Sequence, residues 1–311
     1  MQQHPSPENR TYPLRPVEAV EVVSPLLREL PLPAIGSTAD KNARGQVLVV
    51  GGSRETPGGV LLAGVAALRV GAGRLQLATA ASVSTALAIA VPEARVIGLL
   101  ESSAGVVCGS AANTLAVEAT GADAILIGTG ALDADETGEL LRGLLRFVGD
   151  TTTLVIDAAA LCILAQQPTL LRRVAERTVV MPNQREMAGL LGCAVEIVDA
   201  DPVAALDEAV RRLGVIVTLR GAETWTSAPG AQRFRDRSGH AALGTAGSGD
   251  VLAGALAGLS ARGADPLRAT VWAVHCHGLA GEAAAGRGPG VGLLARELLA
   301  ELPYVLRSLE G

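Results

Sequence analysis

Gly247, Gly249 and Asp250 have the clearest chemical use in this sequence, because the run Gly244-Thr245-Ala246-Gly247-Ser248-Gly249-Asp250-Val251-Leu252-Ala253-Gly254 sets an acid at the mouth of a helix behind a glycine-dense loop. Glycines let backbone N–H groups converge on anionic oxygens, and the helix adds its positive N-terminal end. That is phosphate chemistry. A carboxylate that only bound phosphate would repel it, so Asp250 is expected to take a proton from a hydroxyl facing the phosphate. The plainer alternative is an acid in the first turn that caps the helix. Elsewhere, Asn183 and Glu186 in Met181-Pro182-Asn183-Gln184-Arg185-Glu186 stand one helical turn apart. They suit either ordered water around Mg2+ or a capping box. Asp157 closes an apolar run and suits a metal-held water or, as the preferred reading, a helix cap. Gly51-Gly52-Ser53 follows an apolar run but lacks the dinucleotide fingerprint and reads as a structural turn, while Gly128-Thr129-Gly130 follows another, where bare backbone admits a phosphate or ribose or simply turns the chain. Leu219-Arg220-Gly221-Ala222-Glu223-Thr224 offers a cation in the same kind of place.

The elements that must hold these residues follow from the apolar pattern. From Gln46 onward, short Val/Leu/Ile runs alternate with Ala/Leu-rich stretches of helical length, which implies an α/β fold with a mostly parallel sheet covered on both faces. The predicted strands are Gln46–Val50, Arg74–Thr79, Arg95–Leu100, Ala124–Ile127, Thr153–Ile156, Thr178–Met181 and Val215–Leu219. A small-residue helix over Gly58–Val70 is expected to lie tightly on the sheet, and a hairpin is expected near Thr224–Phe234. The Gly51, Gly128, Asp157, Asn183 and Arg220 motifs then sit at strand exits, where such sheets bind ligands. Residues 1–34 hold seven prolines and are expected to form a partly disordered tail with one short helix near Val17–Leu30, leaving 35–311 as a single domain.

Composition excludes several classes. Of 311 residues, 49% are hydrophobic, 18% charged and 2% aromatic, and the net charge is −5. This is too acidic and too poor in aromatics for a nucleic-acid surface. The four cysteines have no ligand spacing and suit reduced thiols in the cytoplasm. No apolar run reaches the roughly 18 residues of a membrane span, and the N-terminus lacks a signal core. His275 and His277, two apart on a helix, point to different faces and are expected to be core residues. The arginine pairs Arg172-Arg173 and Arg211-Arg212 are expected on solvated helix faces.

The order of these pieces resembles one family. Lys41-Asn42-Ala43-Arg44-Gly45, Val49-Val50-Gly51-Gly52-Ser53, Pro57-Gly58-Gly59, Gly71-Ala72-Gly73, Gly128-Thr129-Gly130, Pro182-Asn183 with Glu186, Arg220-Gly221, Gly247-Ser248-Gly249-Asp250 and His277-Gly278 are similar to the ADP-dependent NAD(P)H-hydrate dehydratases over about residues 35–308. The resemblance implies a ribokinase-like three-layer α/β/α fold and removal of water from the S epimer of hydrated NADH or NADPH, with ADP consumed to AMP and phosphate. It also implies Mg2+, a cytoplasmic homotetramer and a separate epimerase as functional partner, with no nucleic acid or membrane involved. Carried over residue by residue, substrate contacts fall at Gly59, Gly130, Asn183 and Asp250, with Asp250 as catalytic base. ADP contacts fall at Arg220, Gly221, Ala222, Glu223, Thr224, Gly247, Ser248 and Gly249, and Glu186 enters the water shell of the metal. Asn183, Gly59 and Arg220 depart from the family's usual His, Ala and Lys. Two other readings remain: a ribokinase-like kinase of a hydroxymethyl pyrimidine or hydroxyethyl thiazole, and a nucleotide-binding scaffold without turnover. Lys41, the single lysine, raises the question of whether its loop borders the site.

Overall fold

The computed structural model describes residues 19–36, 40–288 and 290–310. In chain order the strands are β1 (Val20–Glu21), β2 (Gln46–Val50), β3 (Arg74–Ala80), β4 (Ala94–Leu99), β5 (Ala124–Ile127), β6 (Thr153–Ile156), β7 (Thr178–Val180), β8 (Ile216–Leu219), β9 (Thr224–Ser227) and β10 (Phe234–Asp236). The helices are α1 (Ser24–Glu29), α2 (Gly58–Arg69), α3 (Ala81–Ala90), α4 (Ala116–Thr120), α5 (Ala134–Leu144), α6 (Cys162–Gln166), α7 (Gln184–Leu191), α8 (Val195–Ala200), α9 (Pro202–Leu213), α10 (Ser248–Ala261), α11 (Pro266–Arg287) and α12 (Ala295–Glu310).

The strands join one sheet in the order β1-β10-β9-β8-β7-β6-β5-β2-β3-β4. All pairs from β8 to β4 are parallel, and β9 is antiparallel to both β8 and β10. The seven predicted strands are present with ends shifted by at most one residue, and the hairpin is β9 and β10, reaching Asp236. Burial alternates with period two. Val47, Val49, Ala124 and Leu126 face one core, under α2, α10, α11 and α12, while Leu48, Val50, Ile125 and Ile127 face the other, under α5, α6, α7 and α9. This is the three-layer α/β/α arrangement that the resemblance implies.

The chain order reverses between β2 and β5, and parallel sheets open a crevice beyond the carboxyl ends of strands at such a point. Helix α10 stands beside it. Every residue from Val251 to Ala261 is buried, as its apolar sequence on all sides requires. Small residues set how closely it packs: a Cβ on Gly254 would lie 2.0 Å from the Ala63 carbonyl oxygen of α2. The tightest approach of α2 is thus to another helix, whereas the sequence pointed to the sheet.

The N-terminal segment differs from its expectation. The short helix expected near Val17–Leu30 is present as α1, and it is preceded by a short strand, β1, parallel to β10. Leu27 is fully buried, and Trp272 Nε1 donates to the Leu30 carbonyl at 2.7 Å. The packed body therefore includes Val20–Leu30; residues 1–18 lie outside the described residues. Lys41 is exposed in the turn that leads into β2, so it stands at the amino ends of the strands, at the pole away from the ligand crevice. Arg212 is not a solvated face residue: it donates to the Leu190 carbonyl at 3.0 Å and the Ala165 carbonyl at 2.8 Å, closing the ends of α7 and α6. Arg173 likewise reaches the Val148 carbonyl at 3.2 Å.

Candidate active site

Helix α10 begins after Gly247 in the left-handed region (φ 89°), and no side chain caps it. Its first N–H groups are thus left for an anion. Asp250, in the first turn, is half-buried, and its Oδ1 accepts the Thr129 hydroxyl from the exit of β5. The capping alternative for Asp250 is therefore not what the geometry favours: the carboxylate bonds across to another strand exit. Burial raises its pKa above the ordinary carboxylate value, against the opposing Thr129 hydrogen bond and Arg220 charge.

Gly59 and Gly130, both expected substrate contacts, meet beside this pair. A Cβ on Gly59 would lie 2.9 Å from the Gly130 backbone. Thr56 Oγ1 donates to the Gly130 carbonyl at 2.7 Å, tying the turn before α2 to the exit of β5.

On the other side of Asp250, Arg220 leaves β8 and donates through Nη2 to Asp157 Oδ1 at 2.7 Å and Glu186 Oε2 at 3.2 Å. Its guanidinium lies over the first turn of α10, where a Cβ on Gly249 would come 2.1 Å from Nη1. Asp157 is buried, and its side chain makes no capping bond to the following 3-10 turn Ala158–Leu161, so the preferred cap reading is corrected: it is the counter-ion of Arg220. Desolvation pushes Asp157 up to about 6 despite the attraction of Arg220. Ala158 directly after it holds φ 50°, the only positive φ outside glycine among the described residues, and such strain gathers at functional sites.

Asn183 and Glu186 do form the capping box. Glu186 N donates to Asn183 Oδ1 at 3.0 Å, and Asn183 N donates to Glu186 Oε2 at 2.8 Å. Asn183 also lines the cleft, and the same Glu186 carboxylate also receives Arg220. Asp157 and Glu186 thus share one guanidinium, whose charge also reaches Asp250.

Asn183, Arg220, Gly221, Ala222, Thr224, Ser248 and Gly249 line one cleft of about 580 Å³, a volume suited to a nucleotide. Gly247 adjoins it at the start of α10. Glu223 does not line it: its carboxylate takes Arg235 at 2.6 and 2.8 Å and Arg237 at 3.1 Å. The opposite wall runs from Ser238 to Gly244, and its sequence signal is the polar turn Ser238-Gly239-His240 just ahead of the glycine loop. His277 is buried as expected, yet it also borders the cleft. Its Nε2 donates to the Ser248 carbonyl at 3.0 Å, and burial lowers its pKa to about 4, so it is neutral at pH 7. Thr129 reads in the sequence as part of a glycine turn; nothing local marks its hydroxyl as the partner of a side chain 121 residues away.

The family profile described as NAD(P)H-hydrate dehydratase matches residues 47–304. The chain belongs to that family. An ADP-dependent (S)-NAD(P)H-hydrate dehydratase of Xanthomonas campestris is 43% identical, over 93% of this chain and 96% of the relative. A bifunctional NAD(P)H-hydrate repair enzyme of Moorella thermoacetica is 34% identical over 90% of this chain, which spans 52% of that relative. Among solved structures, a ribokinase-like superfamily protein of Enterococcus faecalis aligns with a TM-score of 0.81 at 25% identity, over 94% of this chain and 97% of the other. A Bacillus subtilis ADP/ATP-dependent NAD(P)H-hydrate dehydratase, co-crystallised with ATP and Mg2+, shares the fold at 24% identity, with a TM-score of 0.76 over 94% and 99% of the two chains. The fold is therefore ribokinase-like.

Proposed function

We propose that this chain is an ADP-dependent dehydratase that returns (S)-hydrated NADH and NADPH to the intact dinucleotides. The observation that carries the reading is the half-buried Asp250 carboxylate beside the uncapped start of α10, in a chain 43% identical to a protein named for that activity. ADP enters the cleft under Arg220, with its phosphates toward Ser248 and Gly249. The hydrated ring lies toward Gly59, Gly130 and Asn183.

Hydroxide leaves poorly at neutral pH, so the substrate hydroxyl must first become a better leaving group. Asp250 accepts the hydroxyl proton as the oxygen attacks the β-phosphorus of ADP; the P–O bond to AMP breaks. The phosphorylated oxygen then departs as phosphate, driven by the ring-nitrogen electron pair, and loss of a proton from the adjacent ring carbon restores the double bond. The helix end and Arg220 hold the transferring charge.

The donor set fits a hydrated Mg2+. Two carboxylates bind a single guanidinium with Asp250 nearby, yet no three acidic, His or Cys side chains converge closely enough to ligate an ion directly among the described residues. Glu186 and Asp157 would hold such an ion through water, where it neutralises phosphate charge. A cytoplasmic homotetramer, working with an epimerase for the R form, completes the proposal. No described helix is long and apolar enough to cross a membrane.

The test incubates the protein with hydrated NADH, Mg2+ and ADP and follows the recovery of dinucleotide absorbance. Wild type should recover it with stoichiometric AMP, and Asp250→Asn should lose at least about 100-fold in rate while still binding ADP. A stable phosphorylated product would instead mark a kinase. ADP binding without turnover would mark a scaffold.

A further inference from the structure

We propose that Asp236 is a positioning residue for the nucleotide cleft, acting through a buried hydrogen-bonded chain, Ser24–His275–Asp236–Ser238, that seats one wall of the cleft on the N-terminal segment. This rests on the reading that ADP occupies the cleft.

The chain of contacts is continuous. Ser238, a cleft-lining residue, donates to Asp236 Oδ1 from its backbone N at 2.8 Å and from its hydroxyl at 2.5 Å. The other carboxylate oxygen, Oδ2, accepts from His275 Nδ1 at 2.8 Å. With that tautomer, His275 Nε2 accepts from the Ser24 hydroxyl at 3.4 Å. Asp236 and His275 are 3% and 5% exposed, a burial that such polar groups sustain only when fully partnered.

Two further features tie this chain to the cleft wall. Ser238 rests directly on α11, where a Cβ on Gly278 would come 2.0 Å from its hydroxyl oxygen, and the next residue, Gly239, donates its N–H to Glu282 Oε1 at 2.8 Å. The wall thus has a seat shaped to one position. From the other end, β1 pairs with β10, whose last residue is Asp236, and Ser24 opens α1 immediately after β1. A segment that touches no ligand therefore braces both the strand and the histidine that fix Asp236.

Ser24, His275 and Asp236 have the composition of a nucleophilic triad, but Ser24 does not line the nucleotide cleft. A relay that positions the wall accounts for the same geometry and for its termination on a cleft residue.

Titration calorimetry with ADP and Mg2+, alongside thermal unfolding and turnover at saturating ADP, tests this. Asp236→Ala should weaken ADP binding roughly tenfold, the cost of freeing a hydrogen-bonded charged anchor, with saturated turnover within about twofold. Asp236→Asn, which keeps an oxygen acceptor for Ser238, should recover most of the affinity. Ser24→Ala should weaken ADP by about two- to threefold. If Asp236→Ala does not fold, Ser238→Ala removes only the hydroxyl donor and should weaken ADP several-fold. Unchanged ADP affinity in these variants, with a lowered unfolding midpoint alone, overturns the proposal in favour of a purely structural brace. Failure of the wild type to bind ADP overturns the nucleotide reading itself, and is told apart by that control.

Discussion

Thr129 and Arg220 act on Asp250 from opposite strand exits, one by a hydrogen bond and one by charge, and both oppose the rise that burial imposes on its pKa. The proton-accepting form is lost as pH falls through that raised value, so the acid limb of kcat/KM should lie above the ordinary aspartate range. Thr129→Val removes a donor to the charged form and should move that limb to still higher pH, read from a pH–rate profile. Arg220→Lys puts one ammonium where Nη2 spans Asp157 and Glu186 while Nη1 covers Gly249. KM for ADP should rise by roughly tenfold, because a point charge cannot hold both acids and a phosphate at once. The run Gly247 to Asp250 was legible because its parts are contiguous and their chemistry is local. The Arg220 cluster was not: its partners lie 63 and 34 residues away, and only the parallel order of β6, β7 and β8 brings them together. Asp157 accordingly reads as a cap in the sequence.

At the scale of elements, the contact between α2 and α10 decides where Asp250 stands. Gly254→Ala drives a methyl against the Ala63 carbonyl and should cost about 1–3 kcal/mol of stability by urea unfolding, with a fall in kcat because Asp250 rides on the same helix. Gly189→Ala is the contrast: the position is helical, in α7, with nothing within 4 Å of the added carbon, and should gain about 0.5–1 kcal/mol. The strands were readable because their runs are short and apolar, with glycine after β2 and β5 and an acid after β6. The α2–α10 contact was not, since an Ala/Gly-rich helix fits a sheet or another helix equally well. At the N-terminus, a two-residue strand is too short to show a period, and prolines mask the difference between a loose tail and a segment held by α11.

Over the whole molecule, the buried acids couple the site to stability. Burial raises Asp157 from 3.8 to about 6, so between those values the folded protein keeps a proton that the unfolded chain has released. Its contribution to folding is full below pH 4 and fades as pH climbs through 6. Asp157→Asn cannot ionise, so its unfolding free energy should improve relative to wild type between pH 4 and 7, by on the order of 2–3 kcal/mol, measured by urea titration at each pH.

The polarity of the sheet places the one lysine at the amino ends of the strands and the cleft beyond their carboxyl ends. Amine coupling through that side chain would fasten the molecule to a sensor surface by its back, leaving the catalytic mouth turned to the flow. Every other cation on its side chains is an arginine, so a dye or tether attached there would report on nucleotide capture without standing in the doorway.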